Sequence, residues 1–146
     1  MNMKFYLKTS SMLVAAAFLS TLPVEAQTFR QTKQGITSTT QGMDIEIQFI
    51  SPEIVRVVKA PEGRSFTKKS LSLVKSPDSM SVTTEKKGET VSLKSNAVRV
   101  DFNVETGRIS FFDKQGKALF TEKDYGAQFP PFNDAGNQTF SVRQTY

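Results

Sequence analysis

The chain has 146 residues and a formal net charge of +5, and it contains no cysteine, histidine or tryptophan. This composition excludes disulfides, thiolate nucleophiles, zinc sites built from cysteine and histidine, and a Ser-His-Asp triad within the chain. We therefore predict no metal and no cofactor. The basic residues are interspersed and never run longer than a pair. Nucleic-acid binding needs a clustered basic face, so we expect no nucleic-acid partner.

The N-terminal residues 1–26 have the pattern of a signal peptide. Lys4 and Lys8 supply the positive start, residues 12–19 are apolar and uncharged, and small residues precede a cleavage site after Ala26. As a helix this apolar stretch reaches about 12 Å, well short of a bilayer core of about 30 Å. We predict export to the periplasm or the cell exterior. Since no cysteine follows to carry a lipid anchor, we expect no membrane attachment after cleavage.

Alternation of apolar and polar residues dominates the rest of the chain. Residues 27–34 are polar and are interpreted as a flexible lead, and residues 35–146 are predicted to form one domain. The strict alternation at residues 43–49 predicts a half-buried strand that ends at Ser51, because proline follows and cannot donate to the ladder. Residues 53–59, which are rich in β-branched side chains, predict the next strand.

Short strands and a glycine turn follow. Leu71 and Leu73 alternate with serines and predict a strand. Residues 80–84 and 91–94 predict two strands on either side of a hairpin turn at Gly88.

The clearest hairpin pattern lies in the second half of the chain. Residues 98–104 and 108–113 alternate, and Gly107 stands in the short link where a positive φ is needed. Residues 114–117 then turn the chain into a strand at residues 118–121. Strands that recur about every 10 residues with turns between them predict an all-β fold, an antiparallel β-sandwich.

The segment 121–138 breaks this alternation with prolines, glycines and asparagines, and is predicted to be a long loop. Loops of this length in compact domains are either functional or disordered. Residues 139–146 resume a strand pattern and stop without a closing turn. We therefore expect the domain to be incomplete at its C-terminus.

Carboxylates are the remaining candidates for acid–base chemistry. Two carboxyl groups about 5–10 Å apart would be needed to cleave a glycosidic bond. Nothing in the sequence pairs any two of the candidate aspartates, so we predict no catalytic residue in this chain. The candidates are Asp101, Asp113, Asp124 and Asp134.

The predicted loop carries the aromatic and polar mixture best suited to a sugar. Aromatic faces stack on the C–H face of a sugar, and planar polar side chains pair with its hydroxyls. The candidate substrate-binding residues are Phe129, Phe132, Asn133 and Asp134. In the alternative interpretation, the two phenylalanines plug the end of the sandwich, while Asn133 and Asp134 shape a turn.

Several motifs together resemble one enzyme family. An I-x-F-x-D-x-x-G-x-x-L element spans residues 109–119, and an I-V-R-V element lies at residues 54–57. Residues 139–146 are similar to the strand that precedes a Gly-Leu-Gly motif in that family. Over residues 35–146 the chain resembles the N-terminal, galactose-mutarotase-like β-sandwich of family 31 glycoside hydrolases.

The resemblance implies a parent enzyme of the α-xylosidase or α-glucosidase type that hydrolyses α-linked glycosides with retention. In that family the two catalytic aspartates lie on a (β/α)₈ barrel after the sandwich, and no position here matches them. The implied partners are an α-linked oligosaccharide substrate and the catalytic barrel of the same polypeptide. The loop at residues 121–138 is the candidate for reaching the substrate cleft. Without histidine, independent mutarotase activity is not expected.

Two other functions remain open at this point. A stand-alone carbohydrate-binding module is favoured by the aromatic loop, although tryptophan is absent. An adhesin or assembly protein that exchanges strands is favoured by the unfinished last strand.

Overall fold

The structure, a computed structural model, describes residues 29–64 and 75–146, which form thirteen strands and no helix. The signal peptide predicted at residues 1–26 and the strand predicted at Leu71 and Leu73 lie outside the described residues. Within the described ranges, the strands form two larger antiparallel sheets and two small two-stranded ladders.

The first sheet has four strands in chain order. They are β1 (Phe29–Thr32), β2 (Gly35–Thr40), β3 (Met43–Ser51) and β4 (Ile54–Pro61). Every second side chain of β3 is buried up to Phe49, which confirms the alternation predicted for this strand. The strand ends at Ser51 as predicted, and the register shifts between Phe49 and Ser51.

The second sheet has five strands, again in chain order. They are β5 (Thr83–Lys87), β6 (Thr90–Lys94), β7 (Val98–Asn103), β8 (Ile109–Asp113) and β9 (Ala118–Thr121). The predicted hairpins are confirmed: Gly88 and Gly107 have φ values of +57° and +75°, which glycine adopts without steric conflict. The strand predicted at residues 80–84 begins later, at Thr83.

The inner faces of the two sheets pack together as one hydrophobic core. The largest side chains that are fully buried come from both sheets: Phe49, Phe102, Ile36, Ile47, Ile50, Leu93, Ile109, Val91 and Val100. Each such burial stabilises the fold by about 1.5–3 kcal/mol before the loss of conformational entropy. The predicted all-β antiparallel sandwich is therefore the observed fold.

The segment interpreted as a flexible lead, residues 27–34, contains a strand. Residues of β1 pair antiparallel with β2, from Phe29 opposite Ser38 to Thr32 opposite Gly35. Phe29 packs against the core, while the other three side chains of β1 are exposed. The sequence did not predict this strand, because an edge strand pairs through its backbone and leaves little apolar pattern in the sequence.

The prediction of a long loop at residues 121–138 is wrong, because this segment contains further strands. They are β10 (Ala127–Gln128), β11 (Pro131–Asp134) and β12 (Asn137–Phe140), followed by β13 (Arg143–Gln144). The single strand predicted at residues 139–146 is likewise split between β12 and β13. All side chains of the β11–β12 hairpin are exposed, so no face is buried and the alternation that marks a half-buried strand is missing.

Candidate functional site

The structure separates the four residues predicted to bind substrate. Phe129 is partly buried and packs against the core. The other three lie on β11, where the Phe132 side chain is 53% exposed. Asn133 Oδ1 accepts a hydrogen bond from the Gly136 amide at 2.9 Å, and Asp134 lies opposite Asn137 in the ladder. Asn133 therefore shapes the tip of the β11–β12 hairpin.

A buried ion pair joins the two sheets at the residue that follows β9. Lys59 Nζ on β4 lies 2.7 Å from Glu122 Oε2, and the two side chains are 6% and 5% exposed. The same ammonium donates to the Gly107 carbonyl at 2.9 Å, and the same carboxylate oxygen accepts from the Ile109 amide at 2.8 Å. Because these groups come from β4, from the β7–β8 connection and from the residue after β9, the pair ties the first sheet to the second.

This ion pair is absent from the sequence-based predictions, although one signal for it exists. Val55, Val57 and Lys59 alternate along β4, and both valines pack against the core, so Lys59 occupies an inward position. A lysine on an inward face requires a buried partner. The sequence does not say which acid supplies it, because Glu122 is 63 residues away.

The ion pair also anchors the backbone between β9 and β10. Gly126 has a φ of +71°, and a Cβ at this position would contact the Glu122 carboxylate and the Lys59 ammonium. The Lys123 amide donates to the Thr145 carbonyl at 3.1 Å, and the Thr145 amide donates to the Gly126 carbonyl at 2.9 Å. These bonds and the pairing of β10 with β13 fix the position of this stretch of backbone.

An open depression of about 420 Å³ lies where β10 and β13 meet the β2–β3 turn. Small-molecule pockets typically occupy about 300–1,000 Å³. Pairing of β10 with β13 places Gln128 opposite Arg143. Of the four residues predicted to bind substrate, Phe129 alone lines this depression. The lining residues are Gln41, Met43, Tyr125, Ala127, Gln128, Phe129, Pro130 and Arg143.

Two of the aspartates considered for catalysis have structural partners. Asp101 Oδ1 accepts a hydrogen bond from Ser92 Oγ at 2.7 Å. Asp113 Oδ1 accepts hydrogen bonds from two backbone amides of the β8–β9 turn, at 2.9 and 2.8 Å. Asp124 and Asp134 are exposed. In the part of the chain that the structure describes, no three carboxylates are grouped so that they could hold a metal ion.

Comparison with known proteins identifies a family and a similar solved structure. Residues 44–143 match the family described as the glycosyl hydrolase 31 N-terminal galactose mutarotase-like domain. Among solved structures, the chain resembles the GH31 α-xylosidase from Xanthomonas citri, with a TM-score of 0.63 and 30% sequence identity over 79% of this chain. The matched region is 13% of the xylosidase chain. No curated protein matches the chain.

Proposed function

The chain belongs to the family of glycosyl hydrolase 31 N-terminal galactose mutarotase-like domains, and from this we propose that it is the non-catalytic N-terminal domain of an exported, retaining α-glycosidase. The match of residues 44–143 to this family carries the proposal, and the resemblance to an α-xylosidase supports it. Since the chain covers 13% of that enzyme, we assign hydrolysis to a catalytic barrel elsewhere in a longer polypeptide. The proposed substrates are α-xylosides or α-glucosides.

In this proposal the sandwich is a rigid support for the barrel. One core fills the space between the sheets, and the Lys59–Glu122 pair ties the sheets together at one place. A rigid neighbour matters to a glycosidase because a displacement of about 1 Å in the reacting groups can lower the rate about 100-fold. The support role therefore requires no reactive group in the sandwich itself.

We assign a second role, contact with the substrate cleft, to the β11–β12 hairpin. Its side chains are all exposed, and Phe132 projects from it into solvent. Such an element is able to reach a neighbouring domain without disturbing the core. We propose that it lends residues to the rim of the substrate cleft, in place of the loop expected from the sequence.

Export is part of the proposal and is supported by the sequence of residues 1–26. Lys4, Lys8 and the apolar residues 12–19 have the order of a signal peptide. In the described ranges, no helix is long and apolar enough to cross a membrane. The N-terminal residue of the natural protein tests this point: cleavage after Ala26 predicts Gln27.

The experiment that tests the proposed function is a sugar-release assay on the complete product of the natural reading frame. We expect it to release xylose or glucose from aryl α-xylosides or α-glucosides with retention of configuration, and the 146-residue chain alone to release neither. A complete product that hydrolyses neither substrate would contradict the proposal. So would sugar release by the isolated chain.

A further inference from the structure

We propose that the depression lined by Tyr125, Phe129 and Arg143 is a binding site for an α-linked oligosaccharide. The proposal differs from the sequence-based candidate site, because Phe132, Asn133 and Asp134 do not line the depression. The identity of the sugar rests on the proposed function, whereas the existence of the site rests on the geometry of the depression.

The floor and the rim of the depression differ in polarity. Met43 and Ala127 are buried members of the core and give the depression an apolar, fixed floor. Tyr125 is 40% exposed and Phe129 is partly buried, so two aromatic side chains are available to a ligand at the wall. An apolar floor with aromatic walls suits the C–H face of a pyranose ring, which stacks on aromatic surfaces.

The polar groups around the depression suit sugar hydroxyls. Gln41 Nε2 donates to the Glu105 carbonyl at 2.8 Å, which orients the amide and leaves its oxygen as an acceptor. Gln128 and Arg143, opposite each other on β10 and β13, bring a second amide and a guanidinium. Planar groups of this kind pair with two neighbouring hydroxyls at once.

The charge of the site selects a polar ligand over an apolar one. Arg143 makes no ion pair or side-chain hydrogen bond with the described residues, and no carboxylate lines the depression. A lipid or an apolar peptide seated here would cover the guanidinium without satisfying its donors, which is unfavourable. Hydroxyl oxygens accept from it, so a sugar satisfies both the aromatic wall and the polar rim.

The backbone of the site is held in place before any ligand arrives. Gly126 packs on the Lys59–Glu122 pair, and the Thr145 amide bonds the Gly126 carbonyl at 2.9 Å. Tyr125 precedes Gly126 directly, so its position follows from that of the anchored backbone. A site of fixed geometry loses less conformational entropy on binding than a mobile loop.

The test is a calorimetric titration of the full chain with two probes, xylose-α-1,6-glucose and maltotriose. We expect saturable binding of at least one probe. Tyr125→Ala should weaken binding about three- to tenfold through lost stacking, and Arg143→Ala about tenfold or more through lost charged hydrogen bonds. The matched controls Tyr146→Ala and Arg108→Ala lie outside the depression and should bind as the unaltered chain does.

Thermal unfolding checks that each variant is folded. Gln128→Ala, at the exposed position of β10, replaces any variant that is not folded. Affinity that is unchanged in the folded variants overturns the site, as does the absence of saturable heat with both sugars. If the complete product hydrolyses α-xylosides but the depression binds no sugar, the site fails and the proposed function stands. If sugar binding depends on Tyr125 and Arg143 but the complete product hydrolyses neither substrate, the site stands and the proposed function fails.

Discussion

At the scale of single residues, Lys59 and Glu122 form the buried ion pair that joins the two sheets. Lys59→Met keeps an apolar stem but removes the cation. Among the described residues, the buried Glu122 carboxylate then retains only the Ile109 amide as a partner. We expect the free energy of unfolding to fall by about 3–5 kcal/mol. Urea denaturation monitored by circular dichroism measures this change.

The exposed pair between Arg56 and Glu46 is the matched control. Its two charged atoms are 3.1 Å apart, but the side chains are 24% and 42% exposed. Arg56→Met should therefore lower the free energy of unfolding by less than about 1 kcal/mol. If both variants lose the same free energy of unfolding, burial of the Lys59–Glu122 pair does not contribute to stability.

Gly126 is the second residue whose replacement has a specific consequence. Gly126→Ala introduces a methyl group against the Glu122 carboxylate and the Lys59 ammonium, at a φ of +71°. Gly116→Ala is the matched control, because its φ is +85° and nothing lies within 4 Å of the added carbon. We expect Gly116→Ala to lower the free energy of unfolding by about 1 kcal/mol through backbone strain alone.

The Gly126 variant should lose about 1–3 kcal/mol more, because the added methyl group overpacks a site that has no room. In the double variant Lys59→Met/Gly126→Ala, part of this extra loss should disappear, because the Lys59 ammonium that the added methyl group would contact is absent. Equal losses from Gly126→Ala and Gly116→Ala, measured in urea, would argue against tight packing around the ion pair.

At the scale of elements, the β11–β12 hairpin is expected to be dispensable for folding. Ser141 N donates to Pro130 O at 3.0 Å, so the two ends of the hairpin already meet. Replacing residues 131–140 with two glycines removes no buried apolar side chain, and it removes one cation–π contact between Arg64 and Phe140. We expect the free energy of unfolding to change by no more than about 1 kcal/mol.

Leu93→Ala on β6 provides the reference for this deletion. Leu93 is fully buried, and its truncation should lower the free energy of unfolding by about 2–5 kcal/mol. Chemical denaturation of the two variants side by side gives the comparison. A hairpin deletion as damaging as Leu93→Ala would mean that the hairpin supports the core and is not free to serve a neighbouring domain.

The elements that the sequence predicts well are those with one buried face. The strands β3, β7 and β8 alternate because every second side chain enters the core. In contrast, β1, β11 and β12 are held mainly by backbone pairing, and their mostly exposed side chains carry little of that pattern. The depression was missed for another reason: it combines Gln41 with residues 125–130 and Arg143, and only the three-dimensional pairing of strands brings them together.

At the scale of the whole molecule, one exposed apolar surface supports the proposed contact with a barrel. Phe111, Phe120 and Tyr146 form successive ring contacts with centroid distances of 5.9 and 5.1 Å. Phe120, Tyr146 and the neighbouring Leu119 remain exposed, on or beside the edge strand β9. Exposed apolar surface of this kind is typical of interaction sites, so we propose that the barrel of the same polypeptide covers it.

The most direct measurement is the kcat/KM of the complete natural protein for an aryl α-xyloside or α-glucoside, with and without residues 29–146. Residues 1–26 are kept in both forms so that the proposed export is the same for each. If the sandwich holds the barrel in its active geometry, its removal should lower kcat/KM about 100-fold or more. A form that lacks residues 29–146 and still hydrolyses the substrate at the full rate would contradict the support role.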